Sequence, residues 1–169
     1  MVNAATGVDT QVQVELLEGT ISIYATGNFD FGSYTVSTSN QTVTGAFTDY
    51  FSVEDLKGAD SGYYTTLQMS GDLAGPGGAT IPDANVSASV ASTGVVTITG
   101  GVNPRVEVAA GLLSFSALDS ATTFIKRDTA ANFGVIGHYG TLPTFQVVIP
   151  AYQPVGLYTG TVVYTLYEY

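Results

Sequence analysis

Apolar side chains recur at every second residue through much of this chain, and nowhere at the spacing of a long amphipathic helix. In the C-terminal stretch Tyr158, Val162, Tyr164 and Leu166 fall on one side of an extended backbone, while Thr159, Thr161, Thr165 and Tyr167 fall on the other. Residues 11–16 repeat the pattern, with Val12, Val14 and Leu16 opposite Gln11, Gln13 and Glu15. Only a strand puts alternate side chains on opposite faces, and Val, Thr and Tyr suit a pleated, half-buried surface. Further strands are predicted at 21–26, 34–43, 50–53, 64–69, 86–90, 95–99, 105–108, 122–125 and 145–149.

Turn residues separate these segments at short intervals: Gly27-Asn28, 58–60, the Gly75-Pro76-Gly77-Gly78 run, Gly100-Gly101, Asn103-Pro104 and 137–140. Many short strands with regular punctuation predict an all-β fold, a single antiparallel β-sandwich of immunoglobulin-like type. Helix is limited to one or two turns within 110–118. At 169 residues there is material for one core. Residues 1–9 read as a flexible lead-in and residues 10–169 as one sandwich domain.

Charge then narrows the partners. Only 11% of residues are charged, and fourteen acids against four cations leave a net charge of -10. Lys57, Arg105, Lys126 and Arg127 cannot form a stripe that neutralises phosphates, so nucleic acid is excluded as a partner. No apolar run reaches the roughly 20 residues of a membrane-spanning helix, so membrane insertion is not expected. The absence of cysteine removes disulfides, thiol nucleophiles and Cys-ligated metals.

Little reactive chemistry remains. The one histidine, His138, lies between glycines in Gly137-His138-Tyr139-Gly140 and reads as a turn residue. No G-x-S-x-G or H-E-x-x-H motif occurs, and 75–78 lacks the Lys and helix of a phosphate-binding loop. Asp49, Glu54, Asp55 and Asp60 lie within twelve residues and are candidate Ca²⁺ ligands, because hard cations gather six to eight oxygens. Otherwise no cofactor is expected. Lys126, which follows an apolar strand, raises the idea of a Lys–Asn crosslink, although an ordinary surface lysine is the better reading. Tyrosine buries a ring and keeps its hydroxyl wet, which suits glycan platforms and protein interfaces alike.

Three segments resemble the WxL domain family of bacterial cell-surface proteins. They are Phe29-Asp30-Phe31-Gly32, then Val53-Glu54-Asp55-Leu56-Lys57-Gly58 leading to Gly62-Tyr63-Tyr64-Thr65-Thr66-Leu67, and finally Ile149-Pro150 followed by Gly156-Leu157-Tyr158-Thr159-Gly160 and Tyr164-Thr165-Leu166. Tyr stands at both hallmark Trp positions, and one extra residue separates Tyr64 from Leu67. The resemblance implies a WxL-like sandwich at the bacterial surface with non-covalent attachment to peptidoglycan.

The expectation is a non-enzymatic extracellular structural or adhesive protein, its leader lying outside these residues. It associates with itself through strand edges into a layer or filament. The alternatives are a module that binds cell-wall polysaccharide and a carbohydrate-active enzyme with an Asp/Glu pair. The candidate interface residues are Tyr63, Tyr64, Leu67, Tyr152, Tyr158, Tyr164, Leu166 and Tyr167.

Overall fold

The structure is a computed structural model that describes residues 13–25, 27–57, 61–92, 94–101, 105–129 and 136–169. The predicted lead-in at 1–9 and the turns at 58–60 and 103–104 lie outside the described residues. The strands in chain order are β1 (Ile21–Tyr24), β2 (Gln41–Ala46), β3 (Phe51–Asp55), β4 (Tyr63–Met69), β5 (Leu73–Ala74), β6 (Thr80–Ile81) and β7 (Val86–Ser89). They continue with β8 (Val96–Gly100), β9 (Val106–Val108), β10 (Ser116–Ala117), β11 (Thr122–Arg127), β12 (Gly137–Thr141), β13 (Thr144–Ile149) and β14 (Val162–Glu168). Helix is confined to 3₁₀ turns at Pro76–Gly78, Asp83–Asn85 and Ala110–Leu113.

All pairings are antiparallel. The strand orders are β1-β3-β12-β8 in a first sheet, β10-β7-β13-β2 in a second and β14-β4-β11-β9 in a third, beside the small β5-β6 ladder. The sheets pack together around one apolar cluster, consistent with the predicted all-β sandwich.

Phe51 is the point where the three sheets meet. It sits at the start of β3 in the first sheet, 4% exposed. Its ring centroid lies 6.2 Å from Phe145 of the second sheet, and 6.0 and 5.5 Å from Phe124 and Tyr164 of the third. Most of these rings meet edge-on or tilted, the arrangement that aromatic quadrupoles favour.

Two local features tune the third sheet. The β4–β11 register shifts between Thr123 and Lys126, a bulge that turns both Phe124 and Ile125 inward. The backbone groups this frees are met by the buried Thr65 hydroxyl, which donates to the Ile125 carbonyl (3.1 Å) and accepts from its N–H (3.0 Å). A second tie crosses from the first sheet, where the Asp55 carboxylate pairs with the Arg127 guanidinium, each side chain 3% exposed.

Three predicted elements differ. Residues 34–40 form no strand, and pairing begins at Gln41. Of the 11–16 alternation, the described residues are exposed and unpaired. The Gly137–Gly140 run is strand β12 rather than a turn. Its glycines are there for packing: a Cβ on Gly137 would lie 2.5 Å from the Tyr139 hydroxyl, and one on Gly140 3.0 Å from the Ser52 and Tyr50 side chains.

Replacing Phe51 by Ala should cost about 3–5 kcal/mol in chemical denaturation, because the cavity opens where three sheets converge. Phe115→Ala, at a residue 41% exposed, should cost less than about 1 kcal/mol.

Candidate functional site

A half-open cleft of about 1090 Å³ interrupts the described surface of the sandwich. Its floor is the core itself: Phe51, Phe145, Val147, Met69 and Tyr164 line it. Its walls are two strand-free segments, 27–37 on one side and 153–161 on the other. Phe29 and Phe31 belong to the first wall and meet edge-on at 4.9 Å, while Phe29 stacks on Phe47 at 4.5 Å. Gly45 of β2 leaves room for this, since a Cβ there would lie 2.4 Å from the Phe29 ring.

The second wall carries the closing motif of the sequence. Gly156 has φ +154, and a Cβ there would strike Pro76 at 2.7 Å. Gly160 faces Met69 and Leu73 just as closely. Tyr158 lays its ring into the cleft and donates from its hydroxyl to the Gln153 side chain (3.0 Å) and the Pro154 carbonyl (2.9 Å). These contacts fix the wall as a rigid turn.

Asp30 is the one carboxylate among the described lining residues, and it accepts the Gly32 N–H at 2.8 Å. The pair of acids that glycoside hydrolysis needs is therefore not assembled in the cleft. The cleft mixes aromatic and aliphatic surface with the uncharged polar side chains of Asn28, Ser33, Gln41 and Gln153.

The candidate tyrosines divide into four groups. Tyr158 and Tyr164 belong to the cleft, with Leu166 half-buried against the core beside them. Tyr64 and Tyr167 face each other across β4 and β14 as a stacked pair, centroids 4.9 Å apart and planes at 16°, with Tyr169 6.2 Å from Tyr64. Tyr63 and Leu67 are enclosed in the core, and Tyr152 stands alone, 77% exposed with φ 62.

The acids 49–60 do not form a cation site in the described structure. Asp55 is committed to Arg127 and accepts the Lys57 N–H at 3.1 Å. Glu54 accepts the Tyr24 hydroxyl at 2.9 Å, Asp49 is exposed in a bend, and Asp60 lies outside the described residues. Among the described residues no three His, Asp or Glu side chains converge on a metal position. Lys126 lies at the surface between Glu107 (3.0 Å) and Asp128 (3.4 Å). His138 lies 2.7 Å from the Ser52 hydroxyl, but Ser52 is 2% exposed and closed to a substrate.

No protein-family model, curated protein or solved structure matches this chain. Its chemistry has to be read from its own side chains.

Sequence reasoning missed the Asp55–Arg127 tie and the phenol packed beside it. The Tyr63 hydroxyl is buried without a hydrogen-bond partner, and burial, reinforced by the Asp55 charge, holds its pKa far above the ordinary tyrosine range. Burial raises Tyr164 in the same way. Both phenols keep their protons longer in the folded state than the ~10 of a free tyrosine. Their contribution to stability is complete below about pH 10 and falls as pH climbs past it, because the unfolded chain releases these protons first.

Two measurements check this junction. In a spectrophotometric titration, a fraction of the tyrosines should ionise only alongside loss of tertiary signal, as expected of the buried Tyr63 and Tyr164. Removing one partner of the ion pair, as in Arg127→Met, should cost about 3–5 kcal/mol, and Asp55→Leu with Arg127→Met should cost less than the two single changes summed.

Proposed function

We propose that this protein is a non-enzymatic structural subunit that assembles with itself through its strand edges, as a WxL-like extracellular sandwich of a bacterial surface. The observation that carries the reading is the chemistry of those edges. The outermost strands of the three large sheets are β1, β8, β10, β2, β14 and β9. They contain no Lys and no Pro, and their charged residues are Glu107 and Glu168 alone. Each of these is neutralised, Glu107 by Lys126 and Glu168 by Lys57.

Soluble sheets ordinarily protect such edges with lysine, proline or inward charge, since an open ladder templates another strand. Here β8 goes further, with Val96 48% and Ile98 37% exposed on an uncharged edge. A net charge of -10 keeps copies apart at long range, yet at ~0.15 M salt screening confines that repulsion to about 8 Å. Association is thereby left to short-range edge contacts. The surface location rests on the Thr-, Ser- and Tyr-rich composition and on the motif resemblance.

One observation favours a second reading as a wall-glycan module. Tyr64, Tyr167 and Tyr169 form an aromatic row on a half-exposed face, the kind of platform on which sugar rings stack.

Light scattering of the full chain against concentration distinguishes the two. Mass should rise with concentration, and more steeply as salt is raised from ~0.01 to ~0.5 M, because screening removes the only opposing force. A strict monomer throughout that co-sediments with isolated cell walls, and loses this with Tyr64→Ala, would replace assembly by glycan binding.

A further inference from the structure

The cleft and the exposed N-terminal segment are complementary, and neither has a partner within the described chain. At about 1090 Å³ the cleft exceeds the roughly 300–1,000 Å³ of small-molecule sites, and half-exposed Phe29, Phe31, Phe47, Tyr158 and Tyr164 line it, while Phe51 and Phe145 are already buried. It opens between two sheet-terminal strands, since β2 ends the second sheet and β14 ends the third. Gln41 of β2 and Val162 of β14 both line it. Each of these strands pairs on one side only, and no backbone hydrogen bond reaches its outer side among the described residues.

Residues 13–17 supply what the cleft lacks. Val14, Leu16 and Leu17 are 85%, 90% and 83% exposed, an apolar set that a folded chain does not ordinarily leave in water. Gln13 and Glu15 alternate with Val14 and Leu16, so one face of an extended chain is apolar and the other polar. None of these residues lines the cleft of its own chain. The segment is rooted at Thr20, whose carbonyl accepts the Leu56 N–H at 2.9 Å, and continues directly into β1.

Resting on the reading of the protein as a self-assembling subunit, we propose that residues 13–17 of one copy enter the cleft of a second copy as an added strand beside β2 or β14. Val14 and Leu16 then cover the half-exposed Phe29, Phe47 and Tyr158 rings, Gln13 and Glu15 face solvent, and the unused edge gains a ladder. Donor and acceptor are different surfaces of the same molecule. Such a contact is heterologous, and it propagates head to tail unless rotation closes a ring. The expected product is a filament.

The absence of cysteine makes a direct test simple. Two full-length double variants, Leu16→Cys with Gln41→Cys and Leu16→Cys with Val162→Cys, are oxidised mildly and run without reductant. A ladder of covalent multimers from at least one of them is expected, with Leu16→Cys alone giving at most dimers. Crosslinking confined to monomer-sized species would show that the segment fills its own cleft and would overturn donation to a second copy. Val14→Asp with Leu16→Asp, at exposed positions, should keep the melting temperature of the dilute protein and reduce multimer mass at least tenfold. If these variants still assemble as the parent does and neither pair crosslinks, strand donation falls while edge association stands. If the parent scatters as a monomer at every concentration and salt, both fall.

Discussion

The Phe51 ring brings three sheets into contact at one place, and the way that contact is closed governs the rest of the molecule. On one side Phe124 and the bulge of β11 seal it, with Thr65 satisfying the backbone that the bulge exposes. On the other side Phe145 and Tyr164 continue the same apolar surface to the half-exposed Phe29, Phe47 and Tyr158 that line the cleft. A core built on non-local strand pairing normally ends in a protected edge or a closed barrel. Here it ends in an opening between β2 and β14.

That geometry explains the economy of charge. The few ionic contacts stand at the periphery or lock a junction: Lys57 and Lys126 neutralise the acids on the edge strands, while Arg127 and Asp55 tie β11 to β3 inside the fold. A buried pair of this kind contributes specificity of packing more than net stability, because desolvation offsets much of its attraction. With the edges free of lysine and proline, the surface that remains consists of Thr and Tyr faces and open ladders.

The strands whose alternation is backed by burial were legible in the sequence. β14 is the clearest, with Val162, Tyr164 and Leu166 turned inward as their spacing requires. The segment 34–40 was misread because Tyr34 and Val36 alternate with Ser and Thr like a strand; whether such a pattern pairs depends on a neighbour, and here the chain instead walls the cleft. β12 was hidden by its glycines, which signal turns locally but are imposed by Tyr139 and Ser52 in space. The Asp55–Arg127 tie joins residues 72 positions apart, and Arg127 sits within Lys126-Arg127-Asp128, a triplet that reads as solvated charge. Of the tyrosines, composition favoured packing between strands and could not sort Tyr64 and Tyr167, which stack at the surface, from Tyr63, which is sealed inside.

The central claim is that the cleft of one chain is filled by a strand from another. Amide hydrogen exchange of the full-length protein, followed at dilute and concentrated limits, tests it most directly, since exchange reports local opening and edge pairing strand by strand. The account expects amides on the outer side of β14 or β2, together with those of residues 13–17, to become at least tenfold slower on concentration. Amides of β4, which are paired on both sides within one chain, should not change. Equal exchange of β14, β2 and residues 13–17 at both limits would contradict it.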